Sequence, residues 1–294
     1  MRIILSRKGF DQENGGGPSP IFPNDRMYSL PIEGIGAPKS YGDIGIEAGL
    51  PNSSMAAVAA HLTGGRTTPS RMTHLDPDLD LAALPRKPGW RPAFGQAQAA
   101  QGHLFNQGVC VGDVFLFFGW FRRVHHVAGR WIWERSAPQL HVIFGWLQVG
   151  EVVEVPPGRE ADVLVRFPWL ADHPHLHVPP NELWGRNVVY LASEKFTLSG
   201  AECAATPGGG VFKTFSTRRV LTDPKSENRS TWLLPRWFAS RGSQSTLSYH
   251  GDPSRWTQCG DMVRLSAVAK GQEFVLDCRD RPEAVPWLTS IVSA

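Results

Sequence analysis

Apolar residues crowd into two runs near the middle of the chain, 109–122 (VCVGDVFLFFGWFR) and 140–156 (LHVIFGWLQVGEVVEVP). Both are rich in Val, Ile, Leu and Phe, both are bounded by Gly or Pro, and both carry a Phe-Gly-Trp core, at Phe118-Gly119-Trp120 and Phe144-Gly145-Trp146. Such short apolar runs between turn residues predict strands. The second run continues in period-two alternation, with Val149, Glu151, Val153 and Val155 on one side and Gly150, Val152 and Glu154 on the other. A glycine inside a strand marks a bulge or the close approach of another backbone or a ligand. The same patterning predicts strands over 1–6, 26–33, 129–134, 187–192 and 271–277, and an aromatic segment at 231–238. Helices are predicted over 53–62, capped by Ser53 or Ser54 and closed by Gly64-Gly65, over 93–106, and over 282–293 with Trp287 and Leu288 inward. The expected fold is therefore α+β and mainly β, a central antiparallel sheet with short helices packed around it.

Composition narrows this picture without changing it. The 294 residues are 41% hydrophobic, enough for a sizeable core, and 30 Gly with 24 Pro argue for many turns and against an all-helical chain. A single compact domain is expected, or two packed lobes, 1–107 and 108–294. Thirty Lys and Arg against 27 Asp and Glu leave a formal charge of +3, which is no basic stripe of the kind that backbone-tracking proteins carry. Cys110, Cys203, Cys259 and Cys278 form no C-x-x-C pair, so no zinc knuckle or redox dithiol is signalled. No run of 18 apolar residues and no signal-peptide pattern is present, so a cytoplasmic protein with no membrane partner is expected. Oligomeric state is not legible.

Candidate chemistry sits mostly in the first 107 residues. The first strand runs through Ser6, Arg7 and Lys8 to Asp11 and a loop with Gly15, Gly16, Gly17 and Ser19, whose N–H groups can face an anion. A plain glycine turn before two prolines explains the same residues. In Thr73-His74-Leu75-Asp76-Pro77-Asp78-Leu79-Asp80 an extended backbone would put His74, Asp76, Asp78 and Asp80 on one side. That set suits acid-base work by His74, Asp76 and Asp78, or a divalent metal on His74 and Asp76. The competing reading is a helix N-terminus with Asp76 as cap and Pro77 in the first turn. His103 and Gln107 lie next to the central strands and are further substrate-binding candidates. Asp172-His173-Pro174-His175-Leu176-His177 places three imidazoles at alternating positions. The spacing matches no usual zinc framework, and the reading preferred for it is a surface cluster between prolines. Trp120, followed by Arg122 and Arg123, is the aromatic residue assigned to a binding pocket, with Arg122 beside it; Trp146 leads into the alternating strand and is assigned to the core.

Two resemblances follow from these motifs. V-G-D-V-F-L-F-F with I-F-G-W-L-Q-V-G-E, residues 108–156, looks like the core of PUA-like barrels of the EVE and ASCH groups, which implies a barrel form of the sheet and stacking of a modified base on Trp120 and Trp146. S-R-K-G-F-D at 6–11, G-G-x-P-S-P at 15–20, T-H-L-D-P-D-L at 73–79, the two F-G-W runs and G-Q-E-F-V-L-D near the end together resemble the bacterial and phage family called nucleotide modification associated domain three. This second likeness spans nearly the whole chain. It implies a nucleotide or nucleic acid as partner and a meeting of these polar motifs at one site. The expected function is a nucleotide- or DNA-base-modifying enzyme or accessory protein. No organic cofactor is identified, and a divalent metal fits the His/Asp set. A non-catalytic PUA-like reader of modified bases and a metal-dependent enzyme on a small non-nucleotide substrate are the alternatives.

Overall fold

The computed structural model describes residues 1–46, 54–178, 185–198, 201–239, 246–269 and 271–293. In chain order, the first half supplies β1 (Arg2–Arg7), β2 (Ser19–Ile21), β3 (Ile32–Glu33), α1 (Met55–Leu62), β4 (Thr73–His74), β5 (Ala93–Gln96) and α2 (Gln98–Asn106). The long strands β6 (Val114–Val127) and β8 (Leu140–Glu154) flank β7 (Arg130–Trp133), and α3 (Glu160–Arg166), β9 (Val188–Ala192), β10 (Lys195–Leu198), β11 (Ala201–Pro207) and β12 (Gly209–Val211) follow. The last third holds β13 (Thr231–Pro235), β14 (Trp256–Cys259), β15 (Met262–Ser266), β16 (Glu273–Asp277) and α4 (Ala284–Val292).

The two apolar runs are β6 and β8, antiparallel neighbours in a nine-stranded sheet of order β16-β1-β6-β8-β9-β5, with β2 and β7 added to β6 and β12 to β8. Ile3 to Ser6 of β1 are all buried, as a strand covered on both faces requires. The sheet is mixed rather than antiparallel throughout, since β1 and β2 run parallel to β6. Its end strands, β16 and β5, share no ladder, so it is an open sheet and not a closed barrel. Side chains nevertheless bridge the gap: Gln96 Nε2 of β5 donates to Glu273 Oε1 of β16 at 2.7 Å.

Both strand glycines admit another backbone. A Cβ on Gly119 would lie 2.8 Å from the carbonyl oxygen of Lys8, and one on Gly145 would lie 2.9 Å from that of Gly210 in β12. Between them the β6–β8 register shifts at Phe117/Phe118. One face of the sheet carries a cluster of Phe94, Phe115, Phe117 and Tyr190, with ring centroids 5.0–6.0 Å apart. The other face packs Phe118 against His141, Trp232 and Phe274.

Several elements differ from the sequence expectation for local reasons. Only Ile32 and Glu33 of 26–33 form a strand, paired with β4. The helix expected over 93–106 starts at Gln98, because Ala93, Phe94, Gly95 and Gln96 are buried in pairing with β9. Helix α1 is capped by Ser54, whose hydroxyl accepts from the Ala57 N–H at 3.1 Å; Ser53 lies outside the described residues. Residues 75–80 form no helix, since the Asp78 backbone exchanges bonds of 2.9 and 3.0 Å with Ala93. Trp146 is packed, its ring 4.6 Å from Phe212 and its Nε1 donating to the Pro207 carbonyl at 3.1 Å. No helix among the described residues is long and apolar enough to cross a membrane.

His141 gives the core a pH dependence. Its Nδ1 accepts from Trp232 Nε1 at 2.9 Å, and burial first, then the charges of Arg7 and Arg229, push its pKa down to about 3. The unfolded chain protonates this imidazole from about pH 6.5 downwards while the folded chain does not, so stability falls with pH at about 1.4 kcal/mol per unit in that window. Denaturant titration should show this group costing about 2 kcal/mol between about pH 7 and about pH 5. His141→Asn, which keeps an acceptor for Trp232, should flatten the profile by that amount; an unchanged profile in the variant would contradict the assignment.

Candidate functional site

Asp76 is the centre of a buried polar cluster built from four separate pieces of chain. Its side chain is 4% exposed. The Gly95 N–H of β5 donates to Oδ1 at 2.8 Å, and His173 Nε2 lies 3.4 Å from the same oxygen. The other oxygen, Oδ2, faces His175 Nε2 at 3.6 Å and His74 Nε2 at 3.8 Å. One donor atom each from His74, Asp76 and His175 lies within 4.8 Å of the others, a set that can hold a metal ion.

The surrounding hydrogen bonds assign the tautomers. Asn187 Nδ2 donates to the His175 carbonyl at 2.8 Å, which turns Asn187 Oδ1 toward His175 Nδ1 at 2.6 Å. Asn187 Oδ1 can only accept, so His175 carries its proton on Nδ1 and directs the Nε2 lone pair at Asp76. His173 Nδ1 accepts from the His175 N–H at 3.3 Å, so its proton is on Nε2, toward Asp76 Oδ1. Burial alone would raise the Asp76 pKa, but the facing Nε2 of His173 and the neighbouring imidazoles of His175, His173 and His74 hold it well below the usual carboxylate range. Burial in turn pushes His175 down to about 3, against the pull of Asp76, and lowers His74 for the same reason. The cluster is an ionised carboxylate facing the imidazoles of His74 and His175, whose neutral forms burial favours.

Glycine makes the approach possible. A Cβ on Gly95 would fall 2.2 Å from the His175 ring.

A cleft of about 360 Å³ opens beside the cluster and is lined by His74, Asp76 and His175 together with Arg7, Lys8 and Asp11. Five residues singled out from sequence therefore share one cavity: His74, Asp76, Arg7, Lys8 and Asp11. Lys8 Nζ lies 3.0 Å from Glu273 Oε1 and 4.6 Å from the Phe94 ring centre, and Glu273 Oε2 is buried without a hydrogen-bond partner among the described residues. Asp78 does not share the side of His74 and Asp76: Arg86 takes both of its oxygens at 2.6 and 2.7 Å, and Trp90 Nε1 adds a third bond at 3.3 Å.

The glycine loop is internally satisfied. Asp11 Oδ1 accepts from the N–H groups of Glu13 and Asn14 at 2.9 and 2.6 Å, Gly15 lies on the Phe10 ring, Gly16 faces Arg66, and Ser19 Oγ accepts from the Leu30 N–H at 3.0 Å. Ser6 is fully buried beneath the cleft, its Oγ without a hydrogen-bond partner among the described residues. His103 pairs with Ser248 Oγ at 3.1 Å, Gln107 is the exposed residue that caps the C-terminus of α2, and Arg122 donates to the Arg135 carbonyl at 2.9 Å. Trp120 lies under the Arg229 guanidinium, 4.1 Å from its ring centre. The histidine cluster expected at the surface is split: His173 and His175 are 3% and 4% exposed, while His177 turns to the Ala171 carbonyl at 2.6 Å. Consecutive 3₁₀ turns at Pro168–Asp172 and Pro174–Leu176 carry these imidazoles inward.

The family model described as nucleotide modification associated domain 3 matches residues 2–277. The chain belongs to the nucleotide modification associated domain 3 family. This match runs from β1 through β16 and contains every residue named around Asp76, leaving out α4. No curated protein and no solved structure matches the chain, so the PUA-like likeness of 108–156 gains no counterpart from them.

Gly95→Ala tests the packing on which the cluster stands. The added methyl group must displace the buried His175 ring, and overpacking of this kind costs about 1–3 kcal/mol. Urea unfolding of the variant should show that loss. Wild-type stability would mean that His175 does not sit against Gly95.

Proposed function

We propose that this chain is a metal-dependent enzyme acting on a nucleotide or on a base in nucleic acid, with His74, Asp76 and His175 as the metal ligands. The observation that carries the reading is the division of labour on Asp76. Oδ1 accepts from the Gly95 N–H and has His173 Nε2 at 3.4 Å, which leaves Oδ2 facing two imidazole Nε2 atoms at 3.6 and 3.8 Å. Donor atoms around a tetrahedral ion with bonds of about 2.0–2.1 Å are about 3.3 Å apart, so a slight contraction around an ion completes the site. Two histidines and one carboxylate with positions left open suit zinc as a Lewis acid or non-haem iron. Asn187 fixes the His175 ring as outer partners of metal-bound imidazoles do.

The ion would activate a water or polarise an oxygen of the base presented in the cleft. Lys8, oriented by Glu273 and Gln96, supplies positive charge at the cleft wall. The family assignment supports nucleotide chemistry over a small non-nucleotide substrate. Arg229 over Trp120 weighs against open stacking of a base on that ring.

Calorimetric titration with zinc, and anaerobically with ferrous iron, should show one site per chain. His74→Ala and His175→Ala should abolish it, and Asn187→Ala should weaken it about ten- to hundredfold with the fold retained by circular dichroism. Chelation should stop turnover of a modified-nucleotide panel. Full turnover after chelation, or by folded His74→Ala, would overturn the metal reading, and tight oligonucleotide binding with no turnover under any metal would favour the reader of modified bases.

A further inference from the structure

Arg7 and Lys8 are consecutive on the strand that ends at the cleft, so they leave it on opposite faces. Lys8 goes to Glu273, and Arg7 goes to the face of Phe118, its register partner on β6. There the Arg7 guanidinium carbon is 5.9 Å from the Phe118 ring centre and 5.7 Å from that of Phe274. Its two terminal nitrogens donate to the carbonyls of Ala269 and Val268, each at 2.8 Å, while Nε is buried with no acceptor among the described residues.

Trp120 shares this face, two residues beyond Phe118. Its Nε1 is likewise buried with no acceptor among the described residues, and the Arg229 guanidinium lies over its ring at 4.1 Å. Among the described residues the Arg229 guanidinium donates no hydrogen bond. Arg7 and Arg229 repel each other electrostatically, and Asp11 is the acid that acts on both. Asp11 spends Oδ1 on the N–H groups of its own loop. The cluster thus holds two guanidinium groups against one partly committed carboxylate, and it buries N–H donors for which the described residues offer no acceptor.

We propose that Arg7, Arg229 and the indole N–H of Trp120 form an oxyanion site for a phosphate group of the substrate. A phosphate supplies the missing acceptors and the missing negative charge together, and a guanidinium over an indole ring offers N–H donors in the fork that phosphate oxygens match. Trp120 acts here as a donor and as the platform that orients Arg229. Arg7 also lines the cleft beside His74 and His175, which joins the anion site to the cleft through this one residue. The substrate class is accordingly a nucleotide or a polynucleotide rather than a free base or nucleoside. This assignment of substrate rests on the metal-centre reading, whereas the anion site is measurable without it.

The test is calorimetry on the metal-free full chain with inorganic phosphate, a deoxynucleoside, its 5′-monophosphate and a short single-stranded oligonucleotide. Phosphate should bind, and the monophosphate should bind at least about tenfold tighter than the nucleoside, as charge-assisted hydrogen bonds imply. A further gain with the oligonucleotide assigns the phosphate to a strand, and equal binding assigns it to the free nucleotide. Arg229→Gln should cut monophosphate affinity about ten- to hundredfold, to the nucleoside level, with zinc affinity unchanged; Arg229→Lys should recover part of it. Trp120→Phe keeps the ring under Arg229, removes the N–H, and should weaken phosphate about tenfold. Nucleoside binding as tight as monophosphate binding, or full phosphate affinity in folded Arg229→Gln, overturns the proposal. Loss of zinc binding at His74 and His175 with phosphate binding intact would instead sink the metal reading alone.

Discussion

A carboxylate buried away from water costs several kcal/mol unless its surroundings replace the lost hydration. Asp76 is such a group, and much of the first two-thirds of the chain is arranged to replace it. Gly95 gives it a backbone N–H, β4 brings His74, and two short turns after α3 bring His173 and His175. None of these partners carries a fixed positive charge, as an arginine would. The arrangement leaves one oxygen satisfied and the other facing neutral imidazole nitrogens, which is a poor salt bridge and a good ligand set.

The sheet makes that convergence possible. Because β1 is an interior strand and both of its faces are covered, the residues at its end can serve two surfaces, Lys8 on one and Arg7 on the other. Gln96 and Glu273 link the end strands β5 and β16 without a ladder between them. A closed ladder at that seam would occupy the edge of β5 from which Gly95 donates to Asp76. The cleft lies where closure is left incomplete, bounded by the ends of both edge strands.

The strong strands were readable from residue pattern because long apolar runs with β-branched and aromatic residues have few alternatives. The Phe-Gly-Trp echo also told correctly of close backbone approach, at Lys8 and at Gly210. His74 and Asp76 were visible as a local motif, since both sit within three residues. Their partners were not, because His175 lies about a hundred residues on, in a segment whose prolines imitate a surface loop, and because a backbone N–H such as that of Gly95 has no sequence signature. Asp78 misled for the converse reason: period two holds only while the backbone is extended, and Arg86 turns that carboxylate away. Trp120 was noticed for its ring, yet it is Arg229, isolated in sequence, that decides what the ring does.

The central claim is that one ion sits between His74, Asp76 and His175, and anomalous scattering locates it most directly. Crystals of the full chain equilibrated with zinc and measured above and below the zinc edge should show one strong peak within about 2.0–2.2 Å of His74 Nε2, His175 Nε2 and Asp76 Oδ2. No peak there, with zinc found only at surface histidines, would contradict the account.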